Sequence, residues 1–170
     1  SGGFALSFNS TAAVTLSGNS GSLTINGGTV GSLTVQNATN VTISGGLTAV
    51  GNASLLGSTV FTISSGGAIA STGGDITVST ARFVNNSGAA ALSVVSGHRW
   101  QVWSANASPF SGGAPDVVGG LAPNYIQYNA AYGSATVAGA GNGLLYAYQP
   151  TVIVTATGSA TKTYNGDNAV

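Results

Sequence analysis

Charge is nearly missing from this chain. Its 170 residues include three acidic side chains (Asp75, Asp116, Asp167) and three basic ones (Arg82, Arg99, Lys162), for a formal net charge of zero, where an ordinary soluble domain is about 25% charged. Nucleic acid is thereby excluded as a partner, because phosphate binding draws on clustered Lys and Arg that release counterions. Cysteine is absent, which rules out a disulfide framework and a thiolate metal site. In a protein that crosses an oxidising periplasm before folding, that absence also avoids premature cross-links. No apolar run approaches the ~20 residues of a membrane span. The opening stretch SGGFALSFNS has neither a positive region nor a clean apolar core, so it does not read as a signal peptide. If the protein is secreted, this chain is expected to be an interior piece of a longer precursor.

What the chain has instead is Gly, Ser, Thr and Asn, with Gly alone occurring 27 times. Flexible linkers share that composition but lack regular apolar residues. Here an apolar-Thr-apolar triplet recurs at Val14–Leu16, Leu23–Ile25, Leu33–Val35, Val41–Ile43, Phe61–Ile63 and Ile76–Val78. The first four begin 9, 10 and 8 residues apart, and Phe61 follows Val41 by 20. Alternation at period two marks a half-buried strand, and the intervening SGNSG, NGGTVG and SSGG supply positions for tight bends. The spacing predicts an all-β fold, a parallel β-helix (β-solenoid) with two main strands per coil of about 19 residues. Parallel crossovers favour right-handed winding. A single coil cannot bury enough apolar surface to stand alone, so a stack of at least three is expected.

The outward positions of these strands are Ser22, Thr24, Ser32, Thr34, Asn40 and Thr42. They are expected to form columns of small hydroxyl and amide groups. Such columns follow from β-branched propensity and solvation, and they are also a candidate ligand face, able to order water or dock a polar polymer.

From VVSGHRWQVWS onward the texture changes. Both tryptophans (Trp100, Trp103) and all six tyrosines lie in this part, and Pro109, Pro115 and Pro123 fall in or beside a Gly-rich stretch that reads as a long loop. An open solenoid end exposes strand edges and core. Arg99, Trp100, Trp103, Tyr125, Tyr128, Tyr132, Tyr146 and Tyr148 are therefore expected to form a cap; Trp and Tyr also mark carbohydrate or protein contacts. The chain divides on this reading into solenoid coils over 1–98, an aromatic capping segment with a long loop over 99–150, and the start of a following β repeat or linker over 151–170.

The segments HRWQVWS, GGLAPNYIQYNAAYG and GNGLLYAYQPTVIVTATGSATKTYNGDNAV resemble the C-terminal end of the β-helix in filamentous haemagglutinin-like exoproteins of two-partner secretion systems in Gram-negative bacteria. Arg99 and Trp100, Tyr128 to Gly133, and Asn142 to Tyr146 carry the resemblance; Lys162, Tyr164, Asn165 and Gly166 match the start of a small β repeat, with Asn165 where Asp is more usual. The resemblance covers residues 98–170; residues 1–97 are generic for a β-solenoid. It implies a right-handed parallel β-helix, secreted to the bacterial cell surface and used in adhesion, aggregation or biofilm attachment. It implies an outer-membrane transporter as partner through a region outside this chain, and a host or bacterial surface glycan or protein as a possible ligand. It brings no catalytic residue and no cofactor.

Polysaccharide lyases and hydrolases also use β-helices, and their acid/base chemistry needs carboxylates roughly 5 to 10 Å apart. On a 19-residue coil the neighbours of Asp75 fall near positions 56 and 94, neither acidic, so an enzyme is not expected. The single histidine, His98, excludes a His-rich zinc site; with Arg99 it is expected to form a polar corner paired with Asp116. STGGDITV contains one Gly-Gly-Asp without iteration, so no calcium site of the repeat-toxin kind is expected. Sequons at Asn9, Asn37, Asn40, Asn52, Asn85 and Asn106 are candidates for glycosylation.

Overall fold

The computed structural model describes residues 4–17, 21–107, 114–151, 155, 157 and 158. The expected β repeat over 151–170, with Lys162, Tyr164, Asn165 and Gly166, lies almost wholly outside them, as does Pro109. The described residues form strands and no helix. In chain order these are β1 (Phe4–Asn9), β2 (Ala13–Ser17), β3 (Ser22–Val30), β4 (Ser32–Gln36), β5 (Asn40–Ile43), β6 (Gly46–Ala49), β7 (Ala53–Ile63), β8 (Ala68–Ser71), β9 (Ile76–Asn85), β10 (Leu92–Val94), β11 (Trp100–Ser104), β12 (Tyr125–Gln127) and β13 (Gly143–Tyr146). Every pairing is parallel, and together they wind a β-solenoid of about seven turns.

Each coil has three strand positions where the triplet spacing had predicted two. Face one stacks the first halves of β1 and β3, then β5, then the second halves of β7 and β9. Face two stacks the second halves of β1 and β3, then β6, β8 and β10. Face three stacks β2, β4, the first halves of β7 and β9, then β11, β13 and β12. The first four triplets alternate between faces three and one; Phe61–Ile63 then follows Val41–Ile43 on face one, and Ile76–Val78 lies on face three. Face two was hidden because glycine and alanine dilute its pattern, as in Gly28-Thr29-Val30 and Ile69-Ala70-Ser71.

The inward side chains fill the tube. Val41, Ile43, Phe61, Ile63 and Phe83 come from face one, Val30, Leu47, Ile69 and Leu92 from face two, and Leu33, Leu55, Ile76, Val78, Trp100 and Val102 from face three, all buried. Phe61 and Phe83, on successive rungs, stack with centroids 6.0 Å apart and planes 10° off parallel. Gly28 turns β3 from face one to face two at φ 106°, and a side chain there would run into the Phe8 carbonyl of the preceding coil; only glycine permits that approach.

Coil length is not constant. Ser22, Asn40, Val60 and Arg82 align on face one, so the repeat grows from 18 to 20 to 22 residues. The next contact on that face is the bridge from Val84 to Val117, 33 residues on. At this end the rungs also leave chain order: β13 lies between β11 and β12, pairing with both.

Candidate functional site

The six outward polar residues expected to share a ligand face are divided between two. Ser22 and Asn40 align on face one, joined by a 3.3 Å bond from Asn40 Nδ2 to Ser22 Oγ, and beside them run Thr24, Thr42 and Thr62 in register. That column ends where Val84 follows Thr62, and its neighbour ends in Val60 and Arg82. Thr34 belongs to a separate column on face three, with Thr15, Ser54 and Thr77, and Ser32 aligns there with Ala13.

His98 and Arg99 are held by Asp75, not by Asp116. His98 Nδ1 is 3.3 Å and Arg99 Nε 3.8 Å from the Asp75 carboxylate, all three side chains part-exposed. The coil has lengthened by this point, so Asp75 meets Arg99 one rung on rather than position 94. The backbone supplies the firmer links. Asp75 N–H donates to Asn52 Oδ1 at 2.9 Å, and Arg99 N–H to Asp75 Oδ1 at 3.0 Å. Trp100 N–H donates to Asn142 Oδ1 at 2.9 Å, and Asn142 N–H to Asn124 Oδ1 at 2.8 Å. These side chains act as a ladder of acceptors along the corner before face three, where the backbone turns out of sheet geometry. Gly97, Ala140 and Gly141 complete an open pocket of about 530 Å³ beside Asp75.

Asp116 sits on a different corner, between faces three and one, and is buried. Its Oδ1 accepts from Phe83 N–H at 2.8 Å and from the Ser104 hydroxyl at 2.9 Å. The carboxylate thus takes the place of a strand carbonyl at the end of face one. Burial pushes its pKa up to about 6 against the opposing pull of those two bonds and of Arg82. Ser58, Thr80 and Ser104 align rung over rung on this corner and are all buried. Among the described residues, the buried side-chain atoms without a hydrogen-bond partner are Ser58 Oγ, Trp103 Nε1 and Asp116 Oδ2. All three belong to this corner or adjoin it.

The aromatic residues expected to act together point two ways. Trp100 and Tyr146 face the tube and are buried; Tyr128 stacks on Tyr146 at 5.5 Å, and Tyr148 packs against the core. Trp103 and Leu145 face outward from β11 and β13, yet are buried beneath Tyr125, Ala130, Ala135 and Val137. Tyr132 meets Trp103 edge to face at 5.5 Å and 77° and remains 46% exposed. The Tyr125 hydroxyl accepts from Gln101 Nε2 at 2.7 Å. Both tryptophans lie on a rung with strands on either side, so their first role is within the ladder. Strict alternation predicts solvent for Trp103; segment 125–137 covers it, a tertiary contact that period two cannot signal.

Asn85 is 1% exposed, with its amide bonded to Gly88 O, Val118 O, and the Ser87 and Gly88 N–H groups, so it cannot be reached for glycosylation in the folded chain. Asn9, Asn37 and Asn52 are exposed. Among the described residues no cluster of three or more His, Cys, Asp or Glu could hold a metal ion, and no helix is long and apolar enough to cross a membrane. No protein-family model, curated protein or solved structure matches this chain.

Proposed function

We propose that this chain is a structural and adhesive segment of a secreted bacterial surface exoprotein of the filamentous haemagglutinin-like, two-partner secretion kind. The observation that carries the reading is the continuous parallel ladder: on face three seven strands follow one another along a single axis, about 30 Å at ~4.8 Å per rung. A stack of this kind is a rod whose coils support only their neighbours, a form suited to holding other segments away from a cell. The nearly uncharged surface and the Arg-Trp, Tyr-Asn-Ala-Ala-Tyr-Gly and Asn-Gly-Leu-Leu-Tyr segments favour the same assignment. Its partners are an outer-membrane transporter, engaged through a region outside this chain, and a glycan or protein of a host or bacterial surface.

A second reading takes the Thr24–Thr42–Thr62 and Thr15–Thr34–Thr77 columns as a polysaccharide- or ice-binding array. The interruption by Val60, Arg82 and Val84 on one face and Ser54 on the other counts against it. A lyase is the weakest reading, because Asp75 and Asp116 belong to different corners of the coil.

The experiment is immunolabelling of intact native host cells together with an attachment assay on cells carrying an in-frame deletion of this segment. Label on unpermeabilised cells with attachment lost on deletion is expected. Label that requires permeabilisation overturns the surface assignment; surface label with attachment retained leaves a spacer without adhesive role.

A further inference from the structure

We infer that the outer corner at Trp103 and Tyr132 is a binding groove for a neutral glycosyl unit. Two cavities meet there, sharing Ser79 and Tyr132. The inner one, about 120 Å³, is lined by Trp103, Thr80, Ser104 and Ala130; the outer one, about 280 Å³, by Gln36, Asn37, Leu56 and Gly57. Together they exceed the ~300 Å³ at which ligand pockets begin.

The chemistry of the lining selects the ligand. Trp103 is 6% exposed, and its indole Nε1–H is buried without a partner. A buried donor in this condition costs stability until an acceptor reaches it; the atom is closed over in the free chain, so a sugar hydroxyl or ring oxygen becomes that acceptor when the Tyr132 rim shifts aside. Tyr132, half-exposed at the rim and packed against Trp103, offers an aromatic surface to the apolar C–H face of a pyranose. Gln36 and Asn37, both exposed, bring amide donors and acceptors to the outer part, and Asn37 is held at φ 61°, a conformation that Asn tolerates. No carboxylate, ammonium or guanidinium lines either cavity, so an anionic polymer would find no counter-charge. The groove deepens the adhesive reading by giving it a ligand class, and the two fail separately: binding in solution does not depend on display at a cell.

The test uses the ¹⁵N-labelled chain, whose two tryptophans give two indole N–H resonances, assigned with Trp103→Phe. Neutral oligosaccharides of glucose, galactose and N-acetylglucosamine are titrated to millimolar concentration, beside polygalacturonate and a neutral Ser/Thr-rich peptide. At least one neutral sugar is expected to displace the Trp103 resonance saturably while the Trp100 resonance, inside the tube, stays fixed. Tyr132→Ala, which removes a rim residue the fold does not bury, should weaken that binding about tenfold. A Trp103 resonance unmoved by every neutral sugar overturns the inference. So does a displacement unchanged by Tyr132→Ala, or one produced by the acidic polymer or the peptide alone.

Discussion

Residues 22–63 and residues 100–146 build the same three-sided tube by different means. In the first stretch the rungs follow chain order at 18 to 20 residues, inward positions are aliphatic or Phe, outward ones are mostly Ser, Thr and Asn, and the backbone ladder does most of the fastening. In the second, 42 residues separate Gln101 from its face-three partner Gly143, β13 slots in ahead of β12, and buried Trp, Tyr and Asp side chains together with the part-buried Asn142 make the connections. A regular coil is specified by a repeated local pattern. A rung inserted out of order has no such pattern to rely on, so particular side chains must fix its place.

The largest consequence concerns core volume. Trp100 is buried between β9 and β13, its backbone N–H bonded to Asn142. Trp100→Ala is expected to cost about 3–5 kcal/mol, measured as a lower midpoint of denaturant unfolding. Phe4, an aromatic residue on the first rung, is 73% exposed and lines an open apolar pocket with Leu6, Leu16 and Leu23. Phe4→Ala should change the midpoint little, within about 0.5 kcal/mol. Equal losses at the two positions would break the contrast between the ends.

Next comes pH. The Asp116 carboxyl is raised by burial to about 6 from 3.8, so the folded chain holds that proton more tightly than the unfolded one. The resulting stabilisation is complete below the unfolded value and is lost as pH rises through about 6, amounting to roughly 3 kcal/mol at most. Stability contributed by this group therefore falls between pH 4 and 7, the reverse of a salt-bridged carboxylate. Asp116→Asn keeps an acceptor for Phe83 and Ser104 and should flatten the slope, with unfolding midpoints at pH 4 and pH 7 drawing together. A wild-type midpoint that rises over that interval, with the variant following it, would remove Asp116 as the cause.

The same contrast governs what could be read from the sequence. The strands of the early coils were legible because Leu-Thr-Ile and Val-Thr-Ile carry period two and glycine marks the bends. Face two was not, since Gly28 and Ala70 occupy strand positions without an alternating signal. Pairing Asp116 with His98 and Arg99 failed for a related reason: coils lengthen toward the C-terminus, bringing Asp75 to Arg99 and sending Asp116 to another corner. The aromatic cluster was visible as composition, but the division between Tyr146 within the tube and Trp103 outside it depends on β13 entering between β11 and β12. Nothing in local spacing encodes that insertion.

The smallest expected effect tests whether the regular coils do anything beyond holding shape. Thr24 and Thr42 are half-buried on the outer side of face one, in register with each other and with Thr62. Replacing both with Leu removes two outward hydroxyls and leaves the inward row of Ile25, Val41 and Ile43 untouched. Because Leu is only modestly poorer than Thr on a pleated surface, the double variant should unfold within about 0.5 kcal/mol of wild type and attach to cells equally well. Unchanged stability with attachment lost would move the ligand face from the irregular end to the regular one, and the Thr column would then have to be treated as a recognition surface rather than as the solvated side of a ladder.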